Sequence, residues 1–253
     1  IRDSVASRGL GDVYKRQTDL SDVLKEGKDP SSFVELTPKT PISSSFKFAI
    51  GPSLYDTCGD AKFMLSDASS MKDAEELVLN VNKDFESIDI LVNNAGISPK
   101  GDCGERLDTL GTDLSTWGKV FHVNFFASVI LARGLKEELL KAQGAIVNVT
   151  SIAGSRVHPF AGAAYATSKA ALGALTREMS KDFGPLGVRV NAIAPGEVKT
   201  AILSEGTDKI VADIPMKRLG LPEEVADTIF YLCSKEASYV SGAEIEINGG
   251  QHV

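Results

Sequence analysis

Residues 88–96 read Ile88-Asp89-Ile90-Leu91-Val92-Asn93-Asn94-Ala95-Gly96. The opening run is almost continuously apolar and rich in β-branched side chains. A strand that is wet on one face alternates apolar with polar residues, whereas one covered on both faces does not. The run at 88–92 therefore predicts a strand inside a doubly covered parallel sheet. The asparagine pair and the small residues after it mark where that strand stops and the chain turns.

Working outward, 71–85 carries Ala74, Leu77, Val78, Val81 and Phe85 at helical spacing, and 62–65 precedes it as a short strand candidate. Downstream, a long helical stretch at 113–141 leads to the strand Ala145-Ile146-Val147-Asn148-Val149. A helix at 162–183 stops at Gly184-Pro185, and a strand follows at 188–193. Pro222 opens a further helix whose expected inner stripe is Val225, Ala226, Ile229, Phe230 and Cys233. A last strand runs over 243–247 into Asn248-Gly249-Gly250. Strands separated by helices in this way build βαβ units, so the expected fold is α/β, a Rossmann-like doubly wound parallel sheet.

The first sixty or so residues do not continue the pattern. Pro30, Ser31-Ser32, Pro38, Pro41, Ser43-Ser44-Ser45, Gly51-Pro52 and Cys58-Gly59 interrupt them closely, leaving a helix candidate at 12–25 and a strand candidate at 46–50. The chain thus divides into an atypical segment, 1–61, and a Rossmann-like catalytic region, 62–253, of one single domain. Residues 1–17 differ in composition from the rest and read as a cloning or sequencing scar, or else as part of an altered first βαβ unit.

Composition narrows the class. The chain has 253 residues, 43% hydrophobic, with 27 Lys plus Arg against 34 Asp plus Glu and a formal charge of -7. An acidic balance of this kind disfavours binding to nucleic acid or an anionic membrane through overall charge. No apolar run approaches the ~20 residues of a spanning helix, and no leader is recognisable, which predicts a cytoplasmic protein. Cys58, Cys103 and Cys233 are widely and irregularly spaced, and His122, His158 and His252 have no ligand spacing. Neither a disulfide framework nor a metal site is expected, and the histidines read as surface or satisfied core residues.

The chemistry concentrates at Tyr165-Ala166-Thr167-Ser168-Lys169, where the spacing puts Tyr165 and Lys169 on one helical face. A lysine ammonium beside a phenol favours the phenolate and makes the tyrosine usable as an acid or base near neutrality. Tyr231 and Lys235 repeat the spacing, but only Tyr165 has a serine, Ser151, placed just past a buried strand. The carboxyl ends of parallel strands are where open α/β sheets hold ligands. Tyr231 reads as a core-packing aromatic. No Gly-x-Ser-x-Gly elbow is present, which disfavours a serine hydrolase.

From about residue 62 onward the sequence resembles the short-chain dehydrogenase/reductase family. The resemblance rests on Asn93-Asn94-Ala95-Gly96 after a strand, on Asn124 within Val123-Asn124, and on Ser151 in Asn148-Val149-Thr150-Ser151. Tyr165 with Lys169, Pro195-Gly196 with Thr200, and the ending Ser241-Gly242-Ala243 to Asn248-Gly249-Gly250 complete it. It implies that Tyr165 exchanges a proton with the substrate oxygen and that Ser151 hydrogen-bonds the same oxygen. Lys169 would depress the Tyr165 pKa and hold the nicotinamide ribose, and Asn124 would relay protons through a water. For the cofactor, NAD or NADP, the resemblance implies Asn93, Ala95 and Gly96 at the adenosine-side ribose and Asp67 at the adenine. Pro195, Gly196, Val198 and Thr200 would embrace the nicotinamide. The residues alone also allow plainer roles. Asn93 and Asn94 can be turn residues, Asn124 a helix-interior polar group, Asp67 a helix cap and Pro195-Gly196 a loop. Enoyl reductases of the family separate their Tyr and Lys more widely than here.

One departure stands out. The family opens with a Gly-x-x-x-Gly-x-Gly turn whose amides cradle the pyrophosphate at a helix N-terminus. This sequence has no such string. Its nearest approach, Ser4-Val5-Ala6-Ser7-Arg8-Gly9-Leu10-Gly11, puts Val5 at the first glycine and reads as a coincidence. The first βαβ unit is thus atypical or degraded, and the choice between NAD and NADP is not legible after 46–50, where Gly51-Pro52-Ser53 follows. The expected function is an NAD(P)-dependent oxidoreductase that interconverts a secondary alcohol and a ketone. The alternative is a non-catalytic relative with impaired dinucleotide binding. A short segment of mixed polarity at 201–215 suits a small alcohol or carbonyl substrate such as a sugar, a polyol or a short 3-oxoacyl group. The resemblance also implies a homo-oligomer, commonly a tetramer.

Overall fold

The structure, a computed structural model, describes residues 35–37, 66, 68–200 and 208–253. The helix expected at 12–25, the strands expected at 46–50 and 62–65, the glycines at 9 and 11, and Asp67 lie outside the described residues.

Ser70 opens α1 (Met71–Asp84), its hydroxyl accepting from the Asp73 amide at 3.2 Å. Ala74, Leu77, Val78 and Val81 are buried, as their spacing predicts. β2 (Ile90–Asn93) starts later than the apolar run, because the Ile88 amide donates to the Glu138 carbonyl at 3.0 Å rather than to a strand.

The single helical stretch expected at 113–141 is broken. It consists of α2 (Leu114–Phe121), a π-helical turn at His122–Phe126, α3 (Ala127–Gly134) and α4 (Lys136–Ala142). The second break is set by contact with α1. Asn82 donates to the Gly134 carbonyl at 3.1 Å, and Gly134 admits Val78, whose methyl carbon would stand 2.5 Å from a Cβ there.

β3 (Ala145–Val149) is buried along its whole length and leads through Ser151 to α5 (Ala163–Phe183). β4 (Arg189–Pro195), α6 (Asp208–Val211), α7 (Pro222–Cys233) and β5 (Glu244–Ile247) follow. β2, β3, β4 and β5 pair in parallel, in that order, with Val92 opposite Val147 and Val149 opposite Ile193. The remaining edge is a strand that the sequence reading did not place. β1 (Glu35–Thr37) runs antiparallel to β2 and ends just before Pro38. A strand of 3 residues is too short to display an alternation.

Both faces of the sheet are covered. Leu91, Ile146 and Val190 join Leu77, Val81, Leu131, Leu135 and Phe183 on one side. Val92, Val147 and Ile193 join Val225, Ile229 and Leu232 of α7 on the other. Each fully buried Leu, Ile or Val contributes roughly 1.5–3 kcal/mol. On α7 the expected stripe needs correcting, since Phe230 and Tyr231 are 41% and 42% exposed. Tyr231 is therefore not a core aromatic; the Val225, Ala226, Ile229 and Leu232 face alone fills the width of the helix that meets the sheet. Among the described residues no helix is long and apolar enough to cross a membrane.

Candidate active site

The carboxyl ends of β2, β3 and β4 lie along one edge of the sheet, so the segments that leave them meet there. Asn93 and Asn94 leave β2, Ser151 follows β3, and Gly196 follows β4.

Ser151 caps the short 3-10 turn Ile152–Gly154, its Oγ accepting from the Ala153 amide at 3.2 Å. That turn rests on α5 so closely that a Cβ on Gly154 would lie 2.9 Å from the Ala170 nitrogen. The close approach brings Ser151 to the side of Tyr165, where its hydroxyl favours the phenolate. One turn further along α5, the Lys169 Nζ donates to the Val149 carbonyl at 2.6 Å and lies 5.9 Å from the centre of the Tyr165 ring.

Asn124 lies in the π-helical turn, and its amide reads the backbone of Ile97 in both directions. Its Oδ1 accepts from the Ile97 nitrogen at 2.8 Å, and its Nδ2 donates to the Ile97 carbonyl at 3.1 Å and to Ser168 Oγ at 3.0 Å. Ser168 in turn donates to the Tyr165 carbonyl at 2.7 Å. The extra residue of the π turn swings Asn124 inward to make these bonds, a distortion common where function is placed.

Electrostatically the site is dry. Burial drives the Lys169 ammonium down to about 8. Burial also pushes the Tyr165 phenol above its ordinary value, the Ser151 hydroxyl pulls it back, and the charge of Glu197 adds to the rise. The expectation that Lys169 lowers Tyr165 is therefore not met in this arrangement. Desolvation penalises phenolate and ammonium alike, and Lys169 is not among the groups that shift Tyr165.

The residues expected at a cofactor divide. A Cβ on Gly96 would stand 3.3 Å from Lys169 Nζ and 3.6 Å from Asn124 Oδ1, so its absence keeps a cradle open beside the lysine. Lys169 spends one donor on Val149, leaving two for a ribose. Asn93 donates to Asn148 Oδ1 at 2.7 Å, while its own Oδ1 is buried without a partner among the described residues. Ala95 packs beside Ile97 and Val123. These residues fit the riboses of a dinucleotide, with Lys169 beside one of them. Gly196 is accounted for differently, since a Cβ there would meet Gln251 Oε1 at 2.3 Å and Asn248 Cβ at 2.6 Å. The Val198 side chain belongs to the core, and Thr200 Oγ1 donates to the Val198 carbonyl at 3.4 Å.

Some participants were missed in the sequence. Asn148 lies mid-strand, accepting from Asn93 and donating to Thr176 Oγ1 at 2.9 Å, a buried polar chain inside an apolar run. His158 Nε2 pairs with Glu197 Oε1 at 2.7 Å. The available signal was position alone, His158 between Ser151 and Tyr165 and Glu197 directly after Gly196. His122 and His252 are satisfied as expected, by the Gly118 carbonyl at 2.7 Å and by Asn248 Oδ1 at 2.9 Å.

Comparison with known proteins agrees with this geometry. The family model described as enoyl-(acyl carrier protein) reductase matches residues 53–252. Protein FixR of Bradyrhizobium diazoefficiens is 62% identical over 164 residues, 64% of this chain and 59% of FixR. The chain thus spans less than two thirds of that relative's length. The 3-oxoacyl-[acyl-carrier-protein] reductase FabG of Aquifex aeolicus is 38% identical over 187 residues, 68% of this chain and 71% of that protein. Among solved structures, a short-chain dehydrogenase/reductase family oxidoreductase from Brucella ovis, in complex with a partially ordered NAD, is 52% identical. It superposes with a TM-score of 0.63 over 74% of this chain and 78% of its own.

Proposed function

The chain belongs to the short-chain dehydrogenase/reductase family, and from that premise we propose that it is an NAD(P)-dependent oxidoreductase interconverting a secondary alcohol and a ketone. The nicotinamide, when bound, supplies the hydride acceptor or donor. Tyr165 takes the hydroxyl proton as the alcohol is oxidised and returns it to the carbonyl oxygen in the reverse direction. Ser151 hydrogen-bonds the same oxygen and holds it in line with the phenol. Lys169, buried and fixed on the Val149 carbonyl, directs its remaining N–H groups to the ribose and faces the phenolate as it forms. Asn124 keeps the Ile97 backbone and Ser168 in place beneath the pair. Asn93, Ala95, Gly96, Pro195, Gly196, Val198 and Thr200 hold the cofactor, with Asp67 at its adenine end.

The observation that carries this reading is the buried Lys169 ammonium, anchored on the Val149 carbonyl and 5.9 Å from the centre of the Tyr165 ring. A buried cation costs several kcal/mol and persists where chemistry uses it. The test is turnover of a panel of secondary alcohols with NAD and NADP, with Tyr165→Phe as control. Loss of all turnover in the variant supports the reading, and unchanged turnover refutes it. The same reading takes the chain as a homo-oligomer, a tetramer by family resemblance, built on the helices at 113–141 and 163–183 and the C-terminal strand. Light scattering that returns a clean monomer at micromolar concentration contradicts that part.

A further inference from the structure

Tyr165 lies in the first turn of α5, and the ends of a helix are where its backbone is least held. The N-cap residue is Gly162, which has no side chain to satisfy the amides of that turn. The Ala166 amide donates to the Gly162 carbonyl at 2.9 Å, so the Ala161 carbonyl stays outside the helix. A proton-carrying residue at such a place needs support from elsewhere in the chain.

The support comes from residues 100–107, which follow Gly96 and Ile97. Lys100 and Arg106 face each other in an antiparallel bridge. The Gly101 amide donates to the Glu105 carbonyl at 3.0 Å and the Gly104 amide to the Gly101 carbonyl at 2.8 Å, closing the turn between them. This closed unit reaches across to the residues just ahead of Tyr165. Lys100 Nζ donates to the Phe160 carbonyl, and Arg106 Nε donates to the Ala161 carbonyl at 2.8 Å. The Leu107 carbonyl accepts from the Ala163 amide at 2.9 Å and so caps α5 from outside. Gly162 is enclosed by the same contacts, since a Cβ there would lie 3.2 Å from the Leu107 oxygen.

The Arg106 bond is the hardest of these to replace. Ala161 is 7% exposed, so water cannot readily take over its carbonyl, whereas Phe160 is only half-buried. Among the described residues no carboxylate pairs with Arg106, which leaves the Nε–H as its working part.

We propose that residues 100–107 clamp the first turn of α5, and that Arg106 is the positioning residue for Tyr165, acting through its Nε–H rather than its charge. This rests on the oxidoreductase reading above and adds to it a residue that touches neither substrate nor cofactor.

The experiment compares Arg106→Met with Arg106→Gln. Both side chains are uncharged and extend as far as the arginine Nε, but glutamine ends there in an N–H donor and methionine in a methyl group. Hydrogen exchange at the Ala163 amide is read beside turnover of secondary alcohols, its solvent isotope effect, and binding of NADH and NADPH by nicotinamide fluorescence. In Arg106→Met, exchange at Ala163 quickens and kcat falls, each by at least about tenfold, while cofactor Kd and alcohol KM stay within about twofold. The solvent isotope effect rises, because proton transfer at Tyr165 is the step that suffers; a mere loss of folded chain leaves it unchanged. Arg106→Gln stays within about threefold of the parent throughout. Equal loss in both variants, or none in Arg106→Met, overturns the assignment. Should Arg106→Met fail to unfold cooperatively, Lys100→Met shows the faster exchange and the lower kcat in its place, and a Lys100→Met that matches the parent overturns the clamp. If the exchange pattern holds but the parent turns over no alcohol, the clamp stands and the oxidoreductase reading fails. If the parent turns over alcohol and the pattern is absent, the reading stands and the clamp fails.

Discussion

The Lys169 ammonium donates to the Val149 carbonyl at 2.6 Å, which fixes a cation from α5 on the last residue of the buried strand β3. One bond thus locks the helix that carries Tyr165 against the strand that delivers Ser151. The phenol, the hydroxyl and the ammonium therefore keep their mutual geometry only while β3 and α5 stay in register.

Tyr165→Phe removes the proton-carrying oxygen while keeping the ring above Lys169. Turnover falls at least about 1000-fold and cofactor affinity changes little. Tyr231→Phe, at a position 42% exposed on α7, leaves turnover nearly intact. Steady-state kinetics on both variants checks this, and a dead Tyr231→Phe would place the active helix elsewhere.

Lys169 links the site to pH. Burial holds its ammonium at about 8 in the folded chain, below the ordinary 10.5. Between those values the unfolded chain keeps a proton that the folded chain has released, so the stability contributed at this position rises with pH across that window. Below pH 8 both states are protonated, and the full burden of the buried ammonium remains. Lys169→Met removes it. The variant's stability advantage is greatest near neutrality and narrows by on the order of 2 kcal/mol as pH rises to about 10. Urea titrations of parent and variant from pH 7 to 10 measure the difference, and a constant difference contradicts it.

Asn148→Ala removes the acceptor of Asn93 Nδ2 and the donor to Thr176 from a position with no solvent exposure. The expected loss is about 2–4 kcal/mol, from a cavity and a stranded amide together. Thermal unfolding reports it. Because Asn148 touches none of Ser151, Tyr165 or Lys169 by hydrogen bond, kcat at a temperature where the variant is folded should fall by less than about threefold.

Two glycines separate packing from cofactor approach. Gly154→Ala drives a Cβ to 2.9 Å from the Ala170 nitrogen, a backbone atom that cannot step aside. It destabilises the fold by about 1–3 kcal/mol and lowers kcat by displacing Ser151. Gly96→Ala brings a Cβ to 3.3 Å from Lys169 Nζ and 3.6 Å from Asn124 Oδ1, side-chain atoms that need give only a few tenths of an ångström. It leaves the melting temperature within a few degrees but weakens nicotinamide binding about tenfold. Melting curves and cofactor titrations on both variants resolve the two effects, and an equal pattern in both contradicts the distinction.

Most of the sheet was legible because its residues obey a simple rule. Ile90 to Val92 and Ala145 to Val149 are apolar without alternation, and only a doubly covered strand suits such a run. The catalytic residues were legible because Tyr165 and Lys169 share one helix and Ser151 directly follows a strand, both local patterns. What escaped depends on contacts between distant segments. The break at Gly134 is set by Asn82 on another helix, and the π turn at Asn124 is set by the backbone of Ile97. Neither leaves a mark in local periodicity. Asn148 escaped because a polar residue in a buried strand betrays nothing of its partner. His158 and Glu197 escaped because a side-chain contact joining two loops has no characteristic spacing. The direction of the Tyr165 shift was misjudged for a similar reason: proximity to a cation follows from sequence, but desolvation follows only from the packed structure.

Under the proposed function, residues 88–253 hold a working nicotinamide site around Lys169 even though the sequence has no glycine-rich pyrophosphate turn. Titration of the purified chain with NADH and NADPH, followed by nicotinamide fluorescence, tests it most directly. The account predicts saturable binding of one of the two, weakened at least about tenfold by Lys169→Met. No binding of either at millimolar concentration, by a chain that unfolds cooperatively, would contradict it.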